Sequence, residues 1–134
     1  MKNITTYRVI YGDTDQMGVA YYANYLRWFE IGRTEFMREA GIPYERAERE
    51  GIFFPVTEVQ CRYRKAAVYD NLLRIETTVE SLSPVALRFN YRIILEGERT
   101  ALASGWTKHA CLNSARKLIR LPESYTSSLG LHRR

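Results

Sequence analysis

Two carboxylates separated by one residue are the groups in this chain best suited to chemistry. Asp13 and Asp15 lie in residues 12–18, a run of turn-forming residues that interrupts a strand-like pattern. A carboxylate can attack a carbonyl carbon as a nucleophile, or it can take a proton from water as a general base. The structural alternative is that both side chains only accept backbone N–H bonds at a turn or helix start. The residues alone leave both interpretations open.

Other catalytic groups have weaker support. The chain has two histidines, His109 and His132, and no G-x-S-x-G segment, so no Ser/His/Asp triad is expected. We expect His109 to be a strand residue with an ordinary hydrogen bond and His132 to lie in the tail. Cys61 and Cys111 show neither CxxC nor Cys/His spacing. The sequence therefore predicts reduced thiols, no metal site and no cofactor.

A long helix must follow the carboxylate loop. Apolar residues recur there at i, i+3, i+4, i+7 and i+11, which is the spacing of one helix face: Tyr25, Trp28, Phe29, Gly32 and Phe36. Gly41 and Pro43 are typical of a helix C-terminus. The pattern predicts a helix over about residues 22–40 and a short surface helix over about 43–50.

Five runs of alternating residues predict strands, at about residues 5–11, 53–64, 73–79, 85–95 and 100–112, with turns between the last four that include residues 81–84. This order predicts an α+β domain, in which the long helix packs on one five-stranded antiparallel sheet. A sheet wrapped around a single long helix is the hotdog architecture. We expect one domain over residues 1–134, loosely ordered after about residue 122.

The composition narrows the partners. The chain has 134 residues, of which 46% are hydrophobic, and a net charge of +5. That charge would suit nucleic acid, anionic lipid or a phosphate-bearing ligand, but the only tight internal group of cations is Arg62, Arg64 and Lys65. We therefore expect no nucleic acid partner. Since no signal peptide or membrane-spanning run is present, we expect no membrane partner and a cytoplasmic location.

Residues 11–25 carry the pattern D-x-D-x-x-G-x-x-x-x-x-N-Y. This segment resembles the signature of the hotdog-fold acyl-CoA thioesterases of the 4-hydroxybenzoyl-CoA thioesterase type. Residues 33–35 (R-T-E), 55–56 (P-V) and 69–73 (Y-D-N-L-L) are similar to that family as well. The resemblance covers about residues 5–122 and implies hydrolysis of an acyl-CoA thioester to free acid and coenzyme A.

The resemblance also implies roles for individual residues. Asp15 takes the position of the catalytic carboxylate, as nucleophile or as general base, whereas Asp13 matches a more structural aspartate. The backbone N–H of Tyr22, at the helix start, would polarise the thioester carbonyl. Gly18, Val19 and Asn24 fall among the substrate-binding positions. The side chains of Tyr21 and Tyr22 would be core or interface aromatics.

Coenzyme A carries several phosphate charges, so the resemblance requires cations near the site. Arg62, Arg64 and Lys65 are the candidates, with a solvated strand face as the alternative. Some relatives carry a basic cluster before the fourth strand, but this chain has S-L-S-P at residues 81–84.

In this family the site lies between two subunits, so a homodimer or homotetramer is expected. An acyl-carrier-protein thioesterase and a non-catalytic acyl-CoA binding module remain as alternatives.

Overall fold

The computed structural model describes residues 1–131 and contains five strands and three α-helices. The strands are β1 (Asn3–Arg8), β2 (Val56–Tyr63), β3 (Leu72–Ser83), β4 (Ala86–Leu95) and β5 (Ala101–Ala110). The helices are α1 (Asn24–Glu39), α2 (Tyr44–Arg49) and α3 (Glu123–Ser128). All strand pairs are antiparallel, in the order β1-β3-β4-β5-β2. The predicted α+β architecture, one long helix on a five-stranded sheet, is confirmed.

The core forms where α1 lies on the sheet. Its apolar face is buried as the spacing predicts, and the Phe29 ring stacks on Tyr91 of β4 with ring centroids 4.2 Å apart. Gly32 allows the helix to approach β3 closely, because a Cβ at this position would lie 2.8 Å from Cγ2 of Ile75. The helix packs mainly on β1, β3 and β4.

Several element ends differ from the sequence pattern: β2 begins at Val56 rather than at residue 53, β5 ends at Ala110 rather than at residue 112, and three further ends differ for visible reasons. The helix begins at Asn24 rather than at residue 22, because residues 21–23 form a turn with i to i+3 bonds, such as Asn24 N–H to the Tyr21 carbonyl at 2.9 Å. Strand β1 ends at Arg8, since residues 11–13 form a 3₁₀ turn. Strand β3 continues to Ser83, so the chain reverses at residues 84–85 rather than over 81–84.

The expectation of a loose tail after residue 122 is wrong for the part that the structure describes. Helix α3 buries Tyr125, and Leu129 just beyond it is buried as well. The Tyr125 hydroxyl donates to Oε2 of Glu50 at 2.5 Å, which joins this segment to the region after α2. His132 lies outside the described residues.

Strand β2 is an edge strand whose apolar face is left uncovered. Its register with β5, and that of β5 with β4, places Val59 and Tyr63 on the same sheet face as the β4 aromatics that α1 covers. Yet Val56, Val59 and Tyr63 remain 45%, 47% and 44% exposed, because α1 packs mainly on β1, β3 and β4 and meets β2 at its first turn, where Tyr25 contacts Tyr63. Within residues 1–131, no helix is both long enough and apolar enough to cross a membrane.

Candidate active site

Asp15 is held at the start of a tight turn. Its N–H donates to the Val19 carbonyl and its carbonyl accepts from the Gly18 N–H, both at 3.0 Å. Gly18 has φ +80°, a conformation that glycine adopts readily. Oδ1 of Asp15 accepts the Met17 N–H at 2.8 Å, and the residue is half-buried. Gly18 and Val19 therefore shape the loop that presents the Asp15 carboxylate.

Asp13 is fully buried, and its carboxylate is bound on both oxygens. Oδ2 accepts the Tyr7 hydroxyl at 2.7 Å and the Ile10 N–H at 3.0 Å, while Oδ1 faces Arg27 at 3.4 Å. Burial, followed by the bond to Asp13, raises the pKa of Tyr7. Asp13 is thus a structural group, and Asp15 is the carboxylate of the pair that faces outward.

The turn before α1 carries two backbone donors without partners. The Tyr21 N–H donates to the Asp13 carbonyl at 2.7 Å, but within residues 1–131 the N–H groups of Tyr22 and Ala23 form no hydrogen bond. Unpaired amides at the beginning of a helix attract negative charge. The Tyr22 ring is 62% exposed and that of Tyr21 46%, so neither is a core aromatic in the single chain.

Asn24 is directed into the protein. Its Nδ2 donates to the Asp13 carbonyl at 2.8 Å, and its Oδ1 accepts from Arg27 at 3.3 Å. The carbonyl of Asp13 therefore binds both Asn24 and the Tyr21 N–H. The predicted contact of Asn24 with substrate stays a prediction, whereas the structure shows a bond that ties the carboxylate loop to α1.

The three candidate cations are exposed. The Arg64 and Lys65 N–H groups both donate to the Leu102 carbonyl, and the chain then reaches Ala67, whose carbonyl accepts the Ala20 N–H at 2.8 Å. Lys65 is therefore close in the chain to a residue that is bonded to the carboxylate loop. Arg62 opposite Ser104 belongs to the sheet face away from α1.

Tyr63 is a site residue that sequence patterning did not identify. Its hydroxyl donates to the Tyr22 carbonyl at 2.9 Å, across 41 residues of chain. Burial raises the pKa of Tyr63, with the neighbouring Cys61 as the next cause. The alternating pattern of β2 places Tyr63 near the end of a strand, but it does not indicate which distant residue its hydroxyl binds.

His109 has the structural role that we expected. Nε2 lies 2.7 Å from the Thr107 hydroxyl, which is 2.6 Å from the Tyr91 hydroxyl, and Nδ1 lies 2.9 Å from the Phe54 carbonyl. Because a carbonyl only accepts, Nδ1 carries the proton and the Thr107 hydroxyl donates to Nε2. Burial lowers the pKa of His109 to about 4. No cluster of three or more His, Cys, Asp or Glu suited to a metal occurs in the described residues.

A cavity of about 610 Å³ opens at the other end of β2. It lies where β2 begins and β5 has ended, and its walls include aromatic, aliphatic and charged side chains: Tyr44, Glu48, Phe53, Phe54, Leu112 and Arg116. Tyr63 is the last of the eight residues of β2, so it lies about 25 Å from the cavity. Within one chain the cavity and the Asp15 loop are therefore far apart.

Comparison with known proteins relates the chain to thioesterases. A family model described as "Thioesterase-like superfamily" matches residues 9–129. The chain is 32% identical over 118 residues to an Escherichia coli O6:H1 protein named acyl-CoA thioester hydrolase YbgC, with 87% of each chain covered.

Two solved structures are similar to the whole chain. The hypothetical protein TT1821 from Thermus thermophilus has a TM-score of 0.88 at 37% identity, covering 95% of this chain and 96% of that one. DHNA-CoA thioesterase from Staphylococcus aureus has a TM-score of 0.84 at 34% identity, covering 90% and 80%. These matches confirm the predicted hotdog fold.

Proposed function

The chain belongs to the thioesterase-like superfamily, and from that premise we propose that it hydrolyses acyl-CoA thioesters to a free acid and coenzyme A. The observation that carries the proposal is that a carboxylate and a free amide lie close together in the chain, at the small hairpin closed by the bridge between Thr14 and Ala20. Asp15 lies in this hairpin with its carboxylate facing outward, and the unpartnered N–H of Tyr22 comes two residues after the hairpin ends. Thioester hydrolysis needs both of these groups.

The Asp15 carboxylate supports either of two routes. As a nucleophile it attacks the thioester carbonyl carbon, expels the coenzyme A thiolate and forms a mixed anhydride that water cleaves. As a general base it takes a proton from water, the hydroxide formed attacks the same carbon, and the C–S bond breaks, so that the coenzyme A thiolate leaves and takes up that proton. In both routes the Tyr22 N–H donates to the carbonyl oxygen as that atom gains negative charge.

We further propose that the chain is of the 4-hydroxybenzoyl-CoA thioesterase type, on the strength of the D-x-D-x-x-G signature and the intact Asp15. The similar Staphylococcus aureus protein is named for an aromatic CoA thioester. Lys65 and Arg64 would contact coenzyme A phosphates, because both are exposed and close in the chain to Ala67, which is bonded to the loop.

A homodimer through the free edge of β2 would cover its exposed apolar face. In an antiparallel pair, residues directly opposite each other point to the same face of the sheet. If two copies of β2 pair about a twofold axis, this condition is met only when one residue lies opposite its own copy. Pairing centred on Gln60 places Glu58 of one copy opposite Arg62 of the other, twice. It also brings the cavity of one copy to the end of the sheet where the Asp15 loop of the other lies, which gives a site between two subunits.

Cysteine cross-linking tests this dimer. In a Cys61→Ser background, Gln60→Cys should form a disulfide-linked dimer on oxidation, because self-paired Cβ atoms lie about 5 Å apart. Glu58→Cys is the matched control, since it would face position 62 of the other copy. A monomer at micromolar concentration in sedimentation experiments would contradict the dimer.

The activity is tested by separating binding from turnover. Asp15→Asn should bind benzoyl-CoA with nearly unchanged affinity in calorimetry and release no measurable thiol. Glu98→Gln, which removes an exposed carboxylate at the β4–β5 hairpin, should behave as wild type. Wild-type turnover in Asp15→Asn would refute the role of Asp15. If the wild type binds acyl-CoA esters without hydrolysing them, the result would favour a non-catalytic acyl-CoA binding module. If it hydrolyses acyl carrier protein esters and no CoA ester, the result would favour an acyl-carrier-protein thioesterase.

A further inference from the structure

We propose that Tyr63 is a positioning residue for the oxyanion site, because its hydroxyl holds the peptide plane that follows Tyr22. The inference rests on the proposed function. It assigns to a side chain of the sheet edge a role in orienting the turn that precedes α1.

The geometry of the turn leads to this role. The Tyr22 carbonyl accepts the Tyr63 hydroxyl at 2.9 Å and the Tyr25 N–H at a longer 3.3 Å. A peptide unit is planar, with its C=O and N–H pointing in opposite directions. A donor that fixes the Tyr22 carbonyl therefore also fixes the direction of the Ala23 N–H, which we assign as a second oxyanion donor beside the Tyr22 N–H because it too has no partner within residues 1–131.

The preceding peptide plane is held by different groups. The Tyr21 carbonyl accepts the Asn24 N–H at 2.9 Å, and the Tyr21 N–H is bound by the Asp13 carbonyl at 2.7 Å. These bonds come from the turn and the carboxylate loop. Within residues 1–131, Tyr63 is the only side chain that donates to a carbonyl of residues 21–23.

The Tyr63 ring is itself well placed to hold the turn. It packs edge-on against Tyr25, with ring centroids 4.9 Å apart. Tyr25 is buried, and its hydroxyl accepts the Ala67 N–H at 3.0 Å. The Tyr63 ring therefore packs against a buried side chain that is itself held by a hydrogen bond, which restricts the position of the Tyr63 hydroxyl.

Donation to the Tyr22 carbonyl has two consequences for catalysis. It restricts rotation of the peptide after Tyr22, so that the Ala23 N–H keeps one direction while the thioester carbonyl oxygen gains charge. It also polarises the peptide, which strengthens its N–H as a donor. Loss of an oxyanion donor costs about 100- to 1,000-fold in kcat, so loss of a group that only orients one is expected to cost about tenfold.

Tyr63→Phe tests the role, because it removes the hydroxyl and keeps the ring. We expect kcat to fall about tenfold with KM unchanged. Tyr69→Phe is the matched control: its ring stacks on Tyr11, it is exposed, and its hydroxyl forms no hydrogen bond within the described chain. A kcat within twofold of wild type would overturn the proposal. An unchanged kcat with a raised KM would overturn it too, since Tyr63 would then contact substrate.

A second readout needs no substrate. In amide NMR spectra, Tyr63→Phe should shift the signal of Ala23, because the peptide that carries this N–H loses the hydroxyl donor, whereas Tyr69→Phe should leave the signal unchanged. An unmoved Ala23 signal in Tyr63→Phe would refute the positioning role. If the Ala23 amide responds but the wild-type protein releases no thiol, the positioning stands and the proposed hydrolysis fails.

Discussion

Protonation of His109 should destabilise the fold as the pH falls. The residue is 1% exposed, and burial is the main reason that its pKa is about 4 rather than 6.5; the nearby Arg33 lowers the pKa further, and the bond to the Phe54 carbonyl opposes both. The unfolded chain takes up a proton near pH 6.5, whereas the folded chain does so only near pH 4. The contribution of neutral His109 to folding stability is therefore fully present above pH 6.5, and it is lost progressively as the pH falls from 6.5 to 4.

The size of the effect follows from the two pKa values. Their difference corresponds to about 3 kcal/mol of unfolding free energy, lost progressively from pH 6.5 to pH 4. The hydrogen bonds give the molecular reason. A charged imidazole would donate from Nε2, but the Thr107 hydroxyl already donates to that atom.

Urea denaturation at fixed protein concentration measures the effect, with His109→Gln as the reference. The variant should be less stable than wild type at pH 7, and the gap should narrow by about 3 kcal/mol at pH 4. Parallel loss of stability in both proteins would refute the reasoning. An NMR titration gives the pKa directly, with a His132→Gln variant to assign the signal; a His109 pKa near 6.5 would refute it as well.

Contacts elsewhere in the fold lead to three further expected outcomes. A methyl group at Gly105 would overlap the Gln60 carbonyl oxygen of β2 and lie 2.9 Å from the Phe29 ring, so Gly105→Ala should lose about 3 kcal/mol or more of unfolding free energy in urea denaturation. Lys65→Ala should raise KM for CoA esters more than Arg62→Ala does, because Arg62 lies on the outer sheet face; equal effects would contradict this placement. The hydrogen bond from the Tyr125 hydroxyl is the main reason that the pKa of Glu50 is lowered. This bond therefore stabilises the fold above pH 4.5, and the stabilisation is lost as the pH falls below that value and Glu50 takes up a proton. Tyr125→Phe should therefore lower the melting temperature at pH 7 but hardly at pH 3, which a pH series of thermal melts will check.

Local patterning predicted the architecture because burial on one face repeats along each element. In β4 the predicted alternation is observed, with Leu87, Phe89, Tyr91 and Ile93 buried. The start of α1 was placed two residues early because Ala23 has no capping side chain to mark it. The helix after Pro122 was missed because a six-residue segment shows too little periodicity.

The candidate site was predictable where one continuous segment forms it. Asp15, Gly18 and Tyr22 lie within one signature, so their proximity follows from chain continuity. Tyr63 and Asn24 depend on which partner each side chain reaches in three dimensions. The bond from Tyr63 to Tyr22 links a strand end to a turn far away in the sequence, and no periodicity records it.

Thiol release from a panel of benzoyl-type, short-chain and long-chain acyl-CoA esters tests the central claim most directly, with wild type and Asp15→Asn side by side. The proposed function predicts release by the wild type on at least one ester and none by Asp15→Asn, and the preferred ester identifies the acyl group. Equal release by both proteins, or no release by either on any ester, would contradict it.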